Sequence, residues 1–365
     1  MCGIAGFFQR SADVDGPLER VAQTMADTLT HRGPDDSGAW ADPVAGIALG
    51  HRRLSIIDLS AAGHQPMASA SGRFIVSYNG EIYNHTDLRK ELESLGATFR
   101  GHSDTEVIVE GFAHWGIAET LSRLIGMFAL AVWDRDTRTL TLIRDRLGIK
   151  PLYWGEFGST VVFGSELRAI RAHPRAAPTI NRSAVADLVR HGYVTGVHSI
   201  YNEVQRIPPG GLLSIGPDGS TTTDRYWAVK AGPVDATESP EDSRERIEAL
   251  LGDAVKRRMV ADVPLGAFLS GGIDSSAVTA LMQEHASRPV KTFTVGFGQR
   301  DYDEATHARG VSEHLGTDHT EIRFDADEGA ALIPKLPEMY DEPFADSSQI
   351  PTFLVSQVAR RDVTV

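Results

Sequence analysis

The sequence predicts two regions of different fold class: an α+β region built mainly from antiparallel strands, followed by an α/β region with a parallel sheet. Up to about residue 213, short strands are joined by tight turns, as at 126–133 (GMFALAVW), where a turn and a second strand follow. From residue 239 onward, apolar strands alternate with helices, which is typical of a parallel sheet. A chain of 365 residues is long enough for two such domains.

The first region, residues 2–210, contains strands and helices. Its predicted strands are short apolar runs bounded by turn residues, at 74–78, 126–133, 140–143, 152–154 and 161–163. Helical spacing of apolar residues predicts helices at 18–29 and 105–115, which makes the region α+β rather than a pure β sandwich. The Gly-, Pro-, Asp- and Thr-rich passage at 211–238 is predicted to be a linker.

The second region, residues 239–365, begins with a helix-start signal: Ser239 as N-cap, Pro240 at the first position and Asp242 three residues after the cap. One face of that helix is apolar, formed by Ile247, Leu250, Leu251, Ala254, Val255 and Met259. The elements that follow are a strand at 266–269, a helix at 277–282, a strand at 292–297 and a helix ending at Gly316. This order predicts βαβ units.

Composition argues against several classes of partner. The net charge of −13 is spread along the chain without a Lys/Arg cluster, so neither nucleic acid nor an anionic membrane is expected as a partner. No apolar run approaches the roughly 18 residues of a membrane span, and the stretch at 4–8 is too short for a signal peptide. One cysteine cannot close an internal disulfide, so we expect a cytoplasmic protein.

The one cysteine is Cys2, in the opening stretch MCGIAGFF. A catalytic cysteine needs a base, because the thiolate is the nucleophilic form. If Met1 is removed, Cys2 carries its own α-amino group, whose ordinary pKa of about 8 lets it accept a proton near neutral pH. Taken alone, a cysteine near a terminus is more often a small packed apolar residue.

Attack on an amide carbonyl would require donors for the oxyanion, commonly a backbone N–H and an Asn side chain. The stretch VSYNGEIYN offers Asn79 and Gly80, which we expect to form a turn after the strand at 74–78. An ordinary hairpin turn is the alternative for any single Asn-Gly pair. In the same way, Asp104 in GHSDTEV could simply cap the helix predicted at 105–115.

Together these segments resemble the glutamine-hydrolysing domain of class II glutamine amidotransferases, which are N-terminal-nucleophile hydrolases. The resemblance covers most of residues 2–170 through MCGIAGFF, HRGPDDSG, HRRLSIIDLS, HQPM, YNGEIYN, SDTEV, GMFALAVWD and RDRLGIKPLYW, in that order. It implies that Cys2 is nucleophile and, through its amine, base, with Asn79 and Gly80 as the oxyanion hole. The implied glutamine-binding residues are Arg53 for the carboxylate, Glu81 and Asp104 for the ammonium, and Ser55, Ile56 and Ile57 along the side.

The informative stretch of the second region is LSGGIDSSAV, between an apolar strand and an apolar helix. Glycines there let backbone N–H groups approach a phosphate, and the helix N-terminus favours negative charge. The stretch lacks the lysine of a Walker loop and resembles the pyrophosphate loop of the ATP-pyrophosphatase family. That resemblance implies pyrophosphate contacts from Ser270, Gly271, Gly272, Ser275 and Ser276, Mg²⁺ at Asp274, and adenosine contacts from Phe268 or Leu269 and from Val295.

The two regions in this order, with DEPFADSSQIP downstream, resemble the asparagine synthetase family. The implied substrates are glutamine, aspartate and ATP with Mg²⁺. Ammonia released at Cys2 would pass to the second region and displace AMP from β-aspartyl-AMP, giving asparagine, glutamate, AMP and pyrophosphate. A homodimer is a possible assembly.

Two alternatives remain open at this point. Relatives with the same architecture amidate other carboxylates, such as sugar acids. The chain could also be a glutaminase-only or regulatory short form, because it ends in SQVARRDVTV, which reads as a core strand. The family normally continues beyond this point, so we expect the ATP-binding domain to be incomplete, and residues 363–365 to form an exposed apolar edge.

Overall fold

The computed structural model describes residues 1–10, 17–232, 239–297 and 305–365. The chain divides into two compact units. The first comprises Met1–Lys230 with Asp341–Ala345, and the second comprises Ala231–Tyr340 with Asp346–Val365. Within the described ranges, no helix is both long enough and apolar enough to cross a membrane.

The first unit is rich in strands. In chain order they are β1 (Gly3–Gln9), β2 (Asp36–Asp42), β3 (Ile47–Arg53), β4 (Met67–Ala68), β5 (Phe74–Ile82), β6 (Gly126–Asp134), β7 (Thr139–Arg144), β8 (Tyr153–Phe157), β9 (Thr160–Gly164), β10 (Val204–Arg206), β11 (Gly211–Ile215) and β12 (Thr221–Arg225). Its helices are α1 (Leu18–Asp27), α2 (His85–Ser94), α3 (Asp104–Trp115), α4 (Ile117–Arg123), α5 (Leu167–Arg171) and α6 (Arg182–His191). The predicted α+β class is confirmed.

These strands form two antiparallel sheets, in the orders β10-β8-β9-β1-β3-β2 and β12-β11-β7-β6-β5-β4. Successive side chains of β6 point to opposite faces of its sheet, and this alternation shows how the two sheets stack. Ala129 and Trp133 join a buried cluster with residues of the other sheet, whereas Phe128, Leu130 and Val132 pack against α2, α3 and α4. On the other sheet, α1, α5 and α6 cover the outer face. The unit therefore has four layers, with two sheets between two layers of helices.

Two predictions for this unit are wrong. Asn79 and Gly80 are not in a turn, because β5 continues through them to Ile82 and pairs with β6. A Cβ on Gly80 would collide with the Met127 carbonyl, so this glycine permits close approach of two strands rather than a turn.

The linker predicted at 211–238 also begins too early. Strands β11 and β12 extend the second sheet, and Leu213 and Ile215 are buried in the core. The Gly- and Asp-rich segment between them is the hairpin turn, which local composition does not distinguish from a linker. The last part of the predicted linker, 233–238, lies outside the described residues.

The second unit alternates helices and strands, as predicted. Its elements are α7 (Pro240–Arg258), β13 (Gly266–Phe268), α8 (Ile273–His285), β14 (Lys291–Phe297), α9 (Ala305–Leu315), β15 (Asp318–Phe324), α10 (Ala326–Ala330), α11 (Leu336–Met339) and α12 (Gln349–Ala359). The three strands pair in parallel, in the order β13-β14-β15. The loop between β13 and α8 therefore lies at the carboxyl edge of the sheet, where α/β proteins commonly bind ligands.

Helix α7 begins with the predicted capping box between Ser239 and Asp242. Its predicted apolar face is only partly packed: Val255 is 7% exposed, whereas Ile247 is 62% and Leu250 is 64% exposed. Helical periodicity is correct here, but it does not by itself determine which part of an apolar face is covered.

The final residues also differ from expectation. Residues 349–359 form α12, and 363–365 are not a strand. Val363 is buried against Phe293, and the carbonyl of Val365 accepts a hydrogen bond from the Gly266 N–H at 2.9 Å. An apolar run cannot be assigned to helix or strand by hydrophobicity alone.

Candidate functional site

The first unit contains a pocket at the start of β1, where the end of β3, the second half of β5 and the N-terminus of α3 converge. Its lining combines a thiol, cations, carboxylates and a side-chain amide. The lining residues are Met1, Cys2, Arg53, Leu54, Ile56, Ile57, Gln65, Tyr78, Asn79, Gly80, Glu81, Asp104, Thr105 and Lys150. The pocket thus brings together residues from Met1 to Lys150 that are distant from one another in the sequence.

Cys2 lies immediately before β1, against the backbone of Leu54. Its Sγ accepts a hydrogen bond from the Leu54 N–H at 3.4 Å and donates to the Leu54 carbonyl at 3.6 Å. Burial raises the pKa of the Cys2 thiol, and the hydrogen bond from Leu54 opposes this. A thiol with a raised pKa is a weak nucleophile until a nearby base removes its proton.

The Met1 amino group precedes this thiol by one residue. Burial lowers the pKa of the Met1 amino group to about 6, and Arg32 and Lys150 act in the same direction, whereas Cys2 and Glu81 oppose it. Arg32 also donates from Nε to the Cys2 carbonyl at 2.9 Å, which fixes the start of the chain. This environment favours a neutral amine at the terminus, which is the form able to accept a proton.

Asn79 presents an amide without a hydrogen-bond partner. Its side chain is 1% exposed, and neither Oδ1 nor Nδ2 has a partner among the described residues. Buried amides are normally satisfied, because desolvating one without compensation costs roughly 1–3 kcal/mol. An unsatisfied Asn amide on the wall of a pocket is therefore a candidate ligand-binding group.

The guanidinium of Arg53, at the end of β3, is held by carbonyl groups of the loop that follows. It donates to Ser60 at 3.3 Å, to Ile57 at 3.2 Å and to Asp58. A Cβ on Gly63 would collide with this guanidinium, so the glycine leaves space for it. Arg53 is only 6% exposed, so the loop supplies a fixed cation to a largely dry pocket.

Asp104 occupies the first position of α3, after the N-cap Ser103. Its Oδ2 accepts hydrogen bonds from the Tyr78 hydroxyl at 2.7 Å and from the Ile82 N–H at 2.9 Å. Burial raises the pKa of Asp104, and the two hydrogen bonds oppose that shift. With Glu81 on the same lining, the pocket offers carboxylates as well as the Arg53 cation, which suits a ligand carrying both charges.

Nearly all sequence-predicted glutamine-site residues line this pocket; Ser55 does not. The Ser55 N–H instead donates to Asp35 Oδ2 at 2.9 Å. The sequence assigned no role to Gln65, Tyr78, Thr105 or Lys150. Gln65 links Tyr78 and Thr105, since it accepts from the Tyr78 N–H at 2.7 Å and donates to Thr105 Oγ1 at 3.3 Å. All four lie in motifs quoted from the sequence, namely HQPM, YNGEIYN, SDTEV and RDRLGIKPLYW, and these motifs were the available signal.

The second candidate site is the loop between β13 and α8. Ser270 Oγ and Ser275 Oγ lie 3.0 Å apart, and the Gly272 N–H donates to Ser270 Oγ at 3.3 Å. Gly271 has φ of +79°, and a Cβ there would come within 2.6 Å of the Ala308 nitrogen, so both conformation and space require glycine. The loop thus gathers N–H and hydroxyl groups at the N-terminus of α8, which suits a phosphate.

Around this loop, the predicted nucleotide residues differ in accessibility. Phe268 is 51% exposed, Leu269 is 1% exposed, and Val295 on β14 is partly buried. Ser276 and Asp274 lie in the first turn of α8, and Asp274 is exposed. No group of three or more His, Cys, Asp or Glu side chains suited to a metal occurs in the described ranges. One accessible carboxylate beside a phosphate loop fits Mg²⁺, which keeps waters and takes ligands from substrate phosphates.

Comparison with known proteins covers both regions. A glutamine amidotransferase domain family matches residues 1–227, and an asparagine synthase family matches residues 246–365. A solved structure of glutamine phosphoribosylpyrophosphate amidotransferase from B. subtilis, complexed with ADP and GMP, superposes with a TM-score of 0.50 over 94% of each chain. At 16% identity this supports the fold alone, in agreement with the predicted N-terminal-nucleophile hydrolase class.

Curated relatives match nearly the whole of this chain. Asparagine synthetase (glutamine-hydrolyzing) 1 and 3 of Bacillus subtilis (strain 168) are each 35% identical over 367 residues, covering 100% and 93% of this chain. The chain spans only 57% and 58% of those two proteins. A Methanocaldococcus jannaschii protein provisionally given the same enzyme name is 34% identical over 384 residues, and 73% of it is covered. The chain therefore belongs to the family of glutamine-hydrolysing asparagine synthetases.

Proposed function

We propose that this protein hydrolyses glutamine in the pocket at Cys2 and that the nitrogen is used to convert aspartate to asparagine at the expense of ATP. The observation that carries the proposal is the convergence of the one cysteine, at position 2, with an unpartnered buried amide, a fixed arginine and two carboxylates. The names of the relatives support the choice of acceptor.

The glutaminase reaction begins with removal of Met1, which gives Cys2 a free amine. That amine takes the thiol proton, and Sγ attacks the side-chain carboxamide carbon of glutamine. The resulting oxyanion is bound by Asn79 Nδ2 and the Gly80 N–H. Collapse breaks the C–N bond, the amine returns its proton to the departing nitrogen, and ammonia leaves. Water then hydrolyses the thioester to release glutamate and regenerate the thiol.

Glutamine is oriented by its charged end. Arg53 pairs with the α-carboxylate, since a guanidinium matches a carboxylate geometrically. Glu81 and Asp104 receive the α-ammonium, and Ile56 and Ile57 lie along the side of the pocket. Placement of Ser55 away from the lining leaves it without a direct role in this proposal.

In the second unit, the loop would hold the β- and γ-phosphates of ATP through Ser270, Gly271, Gly272, Ser275 and Ser276. Asp274 would hold Mg²⁺, which neutralises phosphate charge. Phe268 is the more accessible candidate for adenosine, because the Leu269 side chain is buried, and Val295 would contribute from β14. The β-carboxylate of aspartate attacks the α-phosphorus and releases pyrophosphate, and ammonia then displaces AMP from the acyl adenylate.

The test compares the wild-type chain with Cys2→Ala and Cys2→Ser, after intact mass has established whether Met1 is absent. We expect glutamate release by the wild type, none by Cys2→Ala and nearly none by Cys2→Ser. Circular dichroism of the three proteins serves as the folding control. Persistent glutaminase activity in Cys2→Ala, or full activity with Met1 retained, would contradict the assigned nucleophile or base.

The acceptor is tested separately by AMP release with ATP, Mg²⁺ and ammonia. AMP release that depends on aspartate, with matching asparagine, supports the proposal. Dependence on another carboxylate, such as a sugar acid, supports the first alternative. Glutamine hydrolysis without AMP release for any acceptor supports a glutaminase-only or regulatory form. A cytoplasmic location and a homodimer stay predictions from sequence.

A further inference from the structure

Lys150 is a buried cation in the pocket to which neither the sequence nor the proposed reaction gives a role. Its side chain is 4% exposed and lines the pocket that contains Cys2. The hydrogen-bond partner of its Nζ among the described residues is the Met1 thioether, at 3.2 Å. A thioether is a weak acceptor, and an ammonium held in a dry site without a strong partner is costly. Removal of Met1 would take away even this contact.

The backbone fixes Lys150 in this position from both sides. The Asp145 carboxylate accepts hydrogen bonds from the N–H groups of Lys150 and Ile149, each at 2.9 Å. Arg144 Nε donates to the Lys150 carbonyl at 2.8 Å. The segment between β7 and β8 is therefore held by charged hydrogen bonds that end at Lys150. A buried lysine whose backbone is fixed at the wall of a pocket is a candidate functional residue.

Charged groups from several elements act on one another at this end of the pocket. The Cys2 thiol before β1, Arg32 after α1, Glu81 on β5 and Lys150 act on the Met1 amine. Arg53 on β3 and Asp104 on α3 act on the Cys2 thiol, and Asp145 acts on Lys150. Burial is the main cause that lowers the pKa of the Met1 amine; Cys2 opposes it, Arg32 and Lys150 add to it, and Glu81 opposes it. Arg32 is occupied by the Cys2 carbonyl and by Glu166 at 2.9 Å. Burial lowers the pKa of Lys150, and the carboxylate that opposes this most strongly is Glu81, on the wall of the same pocket.

We propose that Lys150 is a positioning residue for the nucleophile: after Met1 is removed, its ammonium disfavours protonation of the Cys2 amine and so keeps that amine able to accept the thiol proton. Lys150 acts through the charge it places beside the terminus, without bonding to glutamine. The kinetic part of this inference rests on the proposed glutaminase function, whereas the titration of Cys2 does not.

The test uses Lys150→Met, which removes the charge at similar length, and Lys150→Arg, which retains it. Lys90→Met, at an exposed position of α2, is the matched control. Because Cys2 is the one cysteine of the chain, the pH dependence of its alkylation by iodoacetamide reports this site alone. Intact mass first establishes that Met1 is absent from every protein compared.

In Lys150→Met we expect the onset of Cys2 alkylation, and the acid limb of kcat/KM for glutamine, to move to higher pH by about one unit, which is roughly a tenfold loss on that limb. KM at high pH should be unchanged, and Lys150→Arg and Lys90→Met should keep the wild-type profile. Unshifted profiles in Lys150→Met, even with uniformly lower activity, would overturn the inference. Shifted alkylation in a chain that lacks glutaminase activity would support it while contradicting the proposed function.

Discussion

The two units differ in how their candidate sites are enclosed. The first has three extensive buried clusters, and its pocket residues Asn79 and Arg53 are almost inaccessible. The second has two small clusters among the described residues, and its loop residues Gly272 and Asp274 are exposed. Amide hydrolysis needs fixed dipoles in a dry site, whereas a phosphate can be held by backbone groups at an open sheet edge. We therefore expect substitutions in the pocket of the first unit to change kcat or KM for glutamine in a way that depends on the residue replaced.

Among variants that keep the Cys2 nucleophile, the largest expected effect is that of Asn79→Ala. Because the unpartnered amide would serve the oxyanion only, its removal should lower kcat for glutamine hydrolysis by about 10²–10³-fold with little change in KM. The buried Asn84 is a matched control, since its amide is already paired with the Arg123 carbonyl and the Ile125 N–H. Asn84→Ala should lower thermal stability and leave kcat nearly intact. Equal kcat losses in both variants would contradict the proposed role of the Asn79 amide in binding the oxyanion.

A smaller effect, on binding, is expected for Gly63→Ala. The added Cβ would collide with the Arg53 guanidinium, which would have to leave the carbonyl groups that hold it. KM for glutamine should rise by roughly tenfold, less than for Arg53→Ala, where losing a desolvated charge pair costs on the order of 2–5 kcal/mol. Gly96→Ala is the control, because a Cβ there meets no atom within 4 Å, although its φ of +93° carries some strain. A wild-type KM in Gly63→Ala would show that Arg53 is not positioned through this loop.

The sequence could predict those features of the pocket that depend on local motifs, but not those that depend on contacts between distant segments. Cys2, Arg53 and Asp104 lie in local motifs whose chemistry is readable, and the order of strands and helices follows from periodicity. The position of Asn79 and Gly80 within a strand was not predictable, because Asn-Gly favours turns locally and only the approach of β6 explains the glycine. Lys150 was also missed, since only the fold brings it into the pocket that contains the start of the chain.

A moderate effect is expected from pH. Burial raises the pKa of Asp104, so its carboxylate should be lost at a pH above the ordinary value of about 4. KM for glutamine should therefore rise several-fold as pH falls toward that raised pKa, because a protonated Asp104 no longer attracts the ammonium. In Asp104→Asn, KM should be high throughout and this acid-side rise should be smaller. An identical rise in both proteins would assign the titration to another group.

The smallest expected effect concerns stability in the second unit and tests the contrast in packing directly. Leu250 belongs to the face of α7 that the sequence predicts as apolar, but it is 64% exposed, whereas Val255 on the same helix is 7% exposed. Leu250→Glu should therefore change the free energy of unfolding by no more than about 0.5 kcal/mol, and Val255→Ala should lower it by roughly 1–3 kcal/mol. All five Trp residues precede residue 230, so tryptophan fluorescence follows the first unit, and far-UV circular dichroism reports the helices of both. A destabilisation by Leu250→Glu as large as that by Val255→Ala would mean that this face is covered in solution, and the contrast between a closed first unit and an open second unit would fail.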